Sequence, residues 1–210
     1  MGMPGVGKGT QAARLRDRAG VVHLSTGDIL REAVQRGTAL GTRVQGFLDS
    51  GKLVPDELIG DLIADRLGQQ DAAAGFILDG FPRTVEQVVI LDEALRRLRV
   101  GLDGVYLLTA PKSEIVRRLS GRRVCADCGA VYHVDSRSPR VEGKCDACGH
   151  ALMQRPDDTE EVIRERLEVY NRQTLPIAEK YRERGLLHEI DGTGSPVAVF
   201  ERLIGEVNLS

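Results

Sequence analysis

The residues best suited to chemistry stand at the start of the chain. Gly2-Met3-Pro4-Gly5-Val6-Gly7-Lys8-Gly9-Thr10 has the spacing G-x-x-x-x-G-K. Glycines let the backbone fold around an anion without Cβ interference, so several N–H groups can turn inward. A helix opening near Lys8 adds the positive end of its dipole to such a site. Lys8 can reach the β- and γ-phosphates of a nucleotide, and a hydroxyl after it ordinarily helps to order Mg²⁺. Here Gly9 takes the usual hydroxyl place and Thr10 follows it. A Gly-rich tail that binds nothing would share the composition but not the G-K spacing. The expectation is a loop that binds a nucleoside polyphosphate together with Mg²⁺.

The second cluster is sulfur. The four cysteines form two C-x-x-C pairs, Cys125/Cys128 and Cys145/Cys148, each followed by glycine. Two such knuckles separated by a hairpin-length stretch make a tetrahedral four-thiolate zinc site, which leaves no open position for water and is therefore structural. Val131-Tyr132-His133-Val134 reads as a hairpin strand between them, and so small a unit needs a metal to stay folded. His133 and His150 read as surface or second-sphere groups, because four thiolates complete the ligand set. Free or redox cysteines are the plain alternative. A zinc-ribbon DNA binder is another, but the net charge of −2 supplies no basic field for nucleic acid. Sparse aromatics and the absence of Trp also disfavour a base-stacking platform.

The elements that must position these groups alternate along the chain. A helix is predicted over 11–18, a short buried strand over 21–24, and helices over 29–36 and 41–50, broken at Gly37-Thr38. Ser25 to Asp28 offer capping side chains, and Pro55-Asp56-Glu57 suit the first turn of another helix. Phe76-Ile77-Leu78-Asp79 is predicted as a strand ending in an acid. Gly80-Phe81-Pro82-Arg83-Thr84 then turns the chain into a helix over 85–99. Strands over 105–108 and 187–190, helices over 113–120 and 197–207, and a long helical stretch over 159–184 bent near Pro176 complete the pattern. Alternating strands and helices imply an α/β fold, a parallel sheet flanked by helices. The length suits one domain with insertions. No membrane-length apolar run or leader pattern is read, so a cytoplasmic, monomeric protein is expected.

With Ser25-Thr26-Gly27-Asp28-Ile29-Leu30-Arg31, Asp79-Gly80-Phe81-Pro82-Arg83-Thr84 and Gly121-Arg122-Arg123-Val124-Cys125 added to the loop, the chain resembles adenylate kinase of the long-lid, zinc-bearing bacterial type. The resemblance covers essentially the whole chain in order. It implies a P-loop NTPase-like core (1–24, 55–120 and 159–210), an AMP-binding insert (25–54) and a zinc-bearing lid (121–158). It implies the reaction ATP + AMP ⇌ 2 ADP with Mg²⁺. On the family pattern Gly5, Val6, Gly7, Lys8, Gly9 and Thr10 hold the ATP phosphates. Arg118, Arg122, Val131, Tyr132 and Gly194 lie on the ATP side. Thr26, Arg31, Lys52, Leu53, Val54, Gly80, Phe81, Pro82, Arg83 and Gln87 surround AMP. Arg155 and Arg166 join Lys8, Arg83 and Arg122 around the transferring phosphoryl group. The Asp-Gly-Thr-Gly-Ser-Pro stretch from Asp191 departs from the shorter family pattern, which bears on Gly194. Asp79 ends its strand as an acid ordering Mg²⁺ waters would, and Asp28 is a second candidate. Another nucleoside monophosphate kinase, a GTP-using one, or a poorly active nucleotide-binding remnant are the competing readings.

One expectation concerns architecture. In the resembling family the strand before the loop is the central one of five, and the sequence as given places the loop one residue after Met1. Four or five missing buried aliphatics at roughly 1.5–3 kcal/mol each would amount to about 6–15 kcal/mol, as large as the net stability of a typical domain. The expectation is therefore that further residues precede Met1, and that a structure of this sequence shows a gap in mid-sheet.

Overall fold

The computed structural model describes residues 1–207; residues 208–210, the end of the third core segment expected above, lie outside the described residues. In chain order the elements are α1 (Lys8–Ala19), β1 (Val22–Ser25), α2 (Thr26–Gln35), α3 (Ala39–Ser50), α4 (Asp56–Leu67), β2 (Phe76–Asp79), α5 (Val85–Leu98), β3 (Val105–Thr109), α6 (Lys112–Ser120), β4 (Arg122–Cys125), β5 (Val131–His133), β6 (Leu152–Met153), α7 (Glu160–Val169), α8 (Ile177–Glu183), β7 (Leu187–Asp191) and α9 (Pro196–Glu206).

Local side chains set four of the helix starts. Ser25, Thr38, Thr84 and Ser195 each stand at an N-cap and accept the backbone N–H of Asp28, Gly41, Gln87 and Ala198, at 3.1–3.3 Å. The stretch predicted as one bent helix is divided. A π-helical turn over Tyr170–Thr174 separates α7 from α8, and Pro176 stands at the N-cap of α8. The turn has a purpose in position: it carries Thr174, whose hydroxyl donates to the Arg83 carbonyl at 3.0 Å.

The parallel sheet is in two halves. β1 pairs with β2, from Val22 opposite Phe76 to Ser25 opposite Asp79. β3 pairs with β7, from Val105 opposite Leu187 to Thr109 opposite Asp191. Among the described residues no ladder joins the two pairs. Each half has its own core. Leu24, Leu30, Val44, Ile63, Phe81 and Leu91 pack around the first pair, and Val6, Leu108, Ile115, Leu119, Ile163 and Ile190 around the second. Between the halves lies a cavity of about 930 Å³. Among the described residues only the start of the chain enters it as strand-like backbone: Gly2 makes an isolated parallel bridge with Leu108, and the Leu108 N–H donates to the Met1 carbonyl at 3.1 Å. The mid-sheet gap expected from the sequence is present.

The cysteine segment folds as a small antiparallel sheet in the order β5-β4-β6. The 131–134 strand is observed as β5. β4 was not expected, because Arg122 and Arg123 mask its alternation, yet it is the central strand of the three. No helix among the described residues is long and apolar enough to cross a membrane.

Candidate active site

The glycine-rich loop is held from below by Val6, which is buried in the second core. Gly5 (φ +80°) and Gly7 (φ +106°) take left-handed backbone conformations, which a side chain would strain. Gly7 is the N-cap of α1 and no side chain caps that end, so the first N–H groups of α1 remain free to meet an anion. Lys8 folds over the loop, its Nζ donating to the carbonyls of Gly2 (2.7 Å) and Met3 (2.9 Å). Burial lowers the Lys8 ammonium to a pKa of about 8, against the raising influence of Asp79. Arg118 lies beneath the loop: its Nη1 donates to the carbonyls of Val6 (3.1 Å) and Gly192 (3.0 Å), and its Nε to Glu114 (2.8 Å). It ties the loop to the end of β7. Gly194 follows that end with φ +92°, close to Arg202, whose guanidinium donates to the Thr193 carbonyl at 2.8 Å.

Asp79 closes β2 beside the loop. A Cβ on Gly9 would come within 3.3 Å of its Oδ2, so the glycine at the usual hydroxyl position leaves room for this carboxylate. Desolvation alone would raise the Asp79 carboxyl. His23, whose Nε2 is 3.5 Å away, and the Lys8 charge reverse that and hold it below the usual range. The second acid, Asp28, is engaged with Arg31 at 2.6 Å and lies 3.9 Å from Arg155.

Arginines from five separate segments converge opposite Lys8. Arg83, in the turn after β2, donates Nε to the Gly80 carbonyl at 2.6 Å, and among the described residues no carboxylate lies within ion-pair distance of it. Its backbone N–H donates to Gln87 Oε1 at 2.7 Å, and Gln87 Nε2 donates to Asp56 at 2.8 Å. Burial first, then the Arg166 charge, lowers Arg83 to a pKa of about 10. Burial followed by Arg31 and Arg122 lowers Arg155 to about 10 as well, and Arg166 moves the same way through burial. Arg122, at the start of β4, makes a two-pronged pair with Asp158, 2.7 Å from Nε and 2.6 Å from Nη2. Arg166 in α7 reaches Asp157 at 2.8 Å and Asp158 at 3.3 Å. Three guanidinium groups held below their ordinary range, in mutual repulsion with their neighbours, form a site that an anion would relieve.

The remaining expected residues fall as follows. Thr26 is buried, its hydroxyl donating to the Asp79 carbonyl at 3.3 Å. Phe81 and Val54 are buried in the first core, and Phe81-Pro82 is a cis peptide. Lys52, Leu53 and Val54 form the exit from α3, with the Lys52 N–H donating to Phe47 at 3.0 Å. Thr10 is exposed on the first turn of α1. Val131 is exposed on β5, whereas Tyr132 turns into the cysteine core, where its hydroxyl accepts the Asp146 N–H at 2.7 Å.

A model of the family described as Adenylate kinase matches residues 1–186. The chain belongs to the adenylate kinase family. An adenylate kinase of Moorella thermoacetica is 51% identical over 95% of this chain and 92% of its own length. One from Methanocella arvoryzae is 52% identical over 91% of this chain and 88% of its own. One from Archaeoglobus fulgidus is 46% identical over 97% and 94%. For an adenylate kinase family member the cysteine sheet is the lid region. Its four thiols gather in one group: Cys125 and Cys148 are 3.4 Å apart, Cys128 and Cys145 3.5 Å, and Cys128 and Cys148 3.4 Å.

Sequence reasoning missed three participants. Asp158 was expected only as the last residue of the lid segment, yet its fully buried carboxylate holds two of the site arginines; its place three residues after Arg155 was the available signal. His23 beside Asp79 carried no signal, since a lone histidine in an apolar run reads as core. His133 is the correction. It is buried rather than a surface group, its Nδ1 accepting the N–H groups of Asp135 and Ser136 at 3.1 and 3.3 Å. That assigns the proton to Nε2, which is 3.2 Å from the Arg117 carbonyl. His133 fastens the cysteine sheet to the end of α6.

Proposed function

We propose that this chain transfers the terminal phosphoryl group of Mg-ATP to AMP, giving two ADP, as a monomer in the cytoplasm. The observation that carries the reading is the converging set of cations: Lys8 with Arg31, Arg83, Arg122, Arg155 and Arg166, electrostatically coupled to one another across one site. Phosphoryl transfer requires two nucleotides in line and neutralisation of charge on the transferring oxygens, with little covalent chemistry from protein. Planar guanidinium forks suit that task. In this reading the loop N–H groups and Lys8 bind the donor phosphates, with Arg118 fixing the loop. Thr26, Arg31, Arg83 and the 52–54 segment hold the acceptor. Arg122, Arg155 and Arg166 close over the transferred group as the 121–158 unit shuts out water.

The residues suit both metals. Mg²⁺ keeps most of its waters and takes one or two carboxylates together with substrate phosphates, and Asp79, half-buried and held below the usual carboxylate range, is such a carboxylate. When bound, Mg²⁺ would neutralise the donor oxygens. A tetrahedral zinc with Zn–S of about 2.3 Å has S···S edges of about 3.8 Å, and the four sulfurs sit close to that spacing. Cys125, Cys128, Cys145 and Cys148 would hold it as a structural ion. Metal analysis of protein purified without added metal should find about one zinc per chain, and chelation should lower the melting temperature; metal-free protein of equal stability would contradict this.

The substrate assignment is tested by turnover with AMP, UMP, CMP and GMP, each paired with ATP or GTP. AMP with ATP is the expected best pair, and any other best pair would overturn it.

A further inference from the structure

The four-thiol group has a dry side and a wet one. Cys125 and Cys145 are buried, and Tyr132 backs them, its hydroxyl 3.6 Å from the Cys145 sulfur. Cys128 is exposed and Cys148 half-buried. On the wet side stand Asp127 and His150, whose side chains are 55% and 61% exposed. Asp127 lies between the cysteines of the first knuckle, and His150 lies two residues past the second. Gly149 turns the chain there with φ +78°. The His150 carbonyl accepts the Cys145 N–H at 2.8 Å, which fixes the His150 backbone beside the thiols.

A carboxylate oxygen of Asp127, a ring nitrogen of His150 and the sulfur of Cys148 all lie within 4.8 Å of one another. His150 Nδ1 is 3.5 Å from Asp127 Oδ2. Three such ligands on one tetrahedral zinc stand about 3.3–3.6 Å apart, so small rotamer changes of two exposed side chains close the set. Sulfur, imidazole nitrogen and carboxylate oxygen are the donor types zinc accepts. As a plain surface ion pair, Asp127 and His150 would contribute at most about 1 kcal/mol and have no effect on metal exchange.

A closed set of four thiolates leaves an ion no open position. The ion can therefore enter or leave only as other ligands take over from thiolates. Cys148 belongs to both groups of ligands. We propose that Asp127, His150 and Cys148 form a transient outer site for a divalent transition-metal ion, through which zinc passes to and from the four thiolates. On the way out, His150 and Asp127 take the ion as the other three sulfurs release it and gain protons from solvent. On the way in, the order reverses and the thiol protons return to solvent. Cys148 holds the ion throughout. The outer site rests on the four-thiolate zinc reading given above.

The test uses the zinc-loaded full chain, its His150→Gln and Asp127→Asn variants, and Glu142→Gln, an exposed acid elsewhere in the segment, as the control for charge. Zinc release to the chromogenic chelator pyridylazoresorcinol is followed where the rate no longer depends on chelator concentration. Equilibrium competition with the same chelator gives the affinity. His150→Gln should release zinc about tenfold more slowly, a barrier higher by about 1.4 kcal/mol, with its equilibrium affinity unchanged. Asp127→Asn should also slow release, and Glu142→Gln should not. A histidine that merely supports Cys148 from outside gives the opposite result, faster release and an affinity weaker by about 10–100-fold. That result overturns the proposal, as does a release rate that His150→Gln leaves unchanged, or an equal slowing in Glu142→Gln. A chain that purifies without zinc overturns the four-thiolate reading and the outer site together, whereas these failures in a zinc-loaded chain overturn the outer site alone.

Discussion

Asp158→Asn isolates the electrostatics of the site in one atom. The Asp158 side chain has no exposed surface and accepts from Arg122 at 2.6 and 2.7 Å and from Arg166 at 3.3 Å. Asparagine keeps the shape but removes the charge and points an N–H₂ at a guanidinium donor. Breaking a buried pair by removing one partner costs about 3–5 kcal/mol. Arg122 retains some water contact and Arg166 keeps Asp157 at 2.8 Å, so the low end, about 3 kcal/mol, is expected. For a chain of this size that is a fall of about 6–12 °C in melting temperature. Turnover should fall by about 10²-fold, because two arginines lose the group that aims them. Urea denaturation, calorimetry and steady-state kinetics on the variant and its parent read all three. Asp71→Asn, which breaks the half-exposed pair with Arg66, serves as the control and should change little. If Asp158→Asn melted within about 2 °C of its parent and kept its turnover, the claim that this carboxylate organises the arginines would be wrong.

Three other outcomes follow from the same geometry. Lys8→Met should abolish turnover by at least about 10³-fold while making the chain more stable at pH 7. The folded ammonium sits near 8 and the unfolded one at its ordinary 10.5, so the unfolded state binds more protons between those values. The penalty of burying Lys8 is thus full below pH 8 and relieved as pH rises toward 10.5, and the denaturation difference between variant and parent should shrink at pH 9.5. Binding of Mg-ATP should restore the Lys8 proton, giving proton uptake at pH 8.5 in weakly buffered titrations that is lost in Lys8→Met. Gly121→Ala would place a Cβ 2.3 Å from His133 Nε2 and should loosen the attachment of the cysteine sheet to α6; faster amide exchange at Val134, whose N–H donates to the Gly121 carbonyl at 2.9 Å, would register it.

What could be read from the sequence was what is local. Ser25, Thr38 and Ser195 cap helices through contacts three residues away, so those helix starts were close to legible. The loop and the knuckles were visible because their chemistry needs fixed spacing. Even the gap in the sheet was legible, since the loop's position implied it. The hidden parts are non-local. β4 exists because β5 and β6 flank it, against the polarity of Arg122 and Arg123. The π turn that brings Thr174 to Arg83 leaves the helical pattern over 159–184 unbroken. Asp158 and His133 owe their roles to partners 36 and 16 residues away, which no short window contains.

The most direct test of the central claim is phosphorus NMR of the chain with Mg-ATP and AMP. Two ADP should form for each ATP consumed, with no inorganic phosphate beyond the uncatalysed background. Accumulation of inorganic phosphate, or ATP left unconsumed beside AMP, would contradict it.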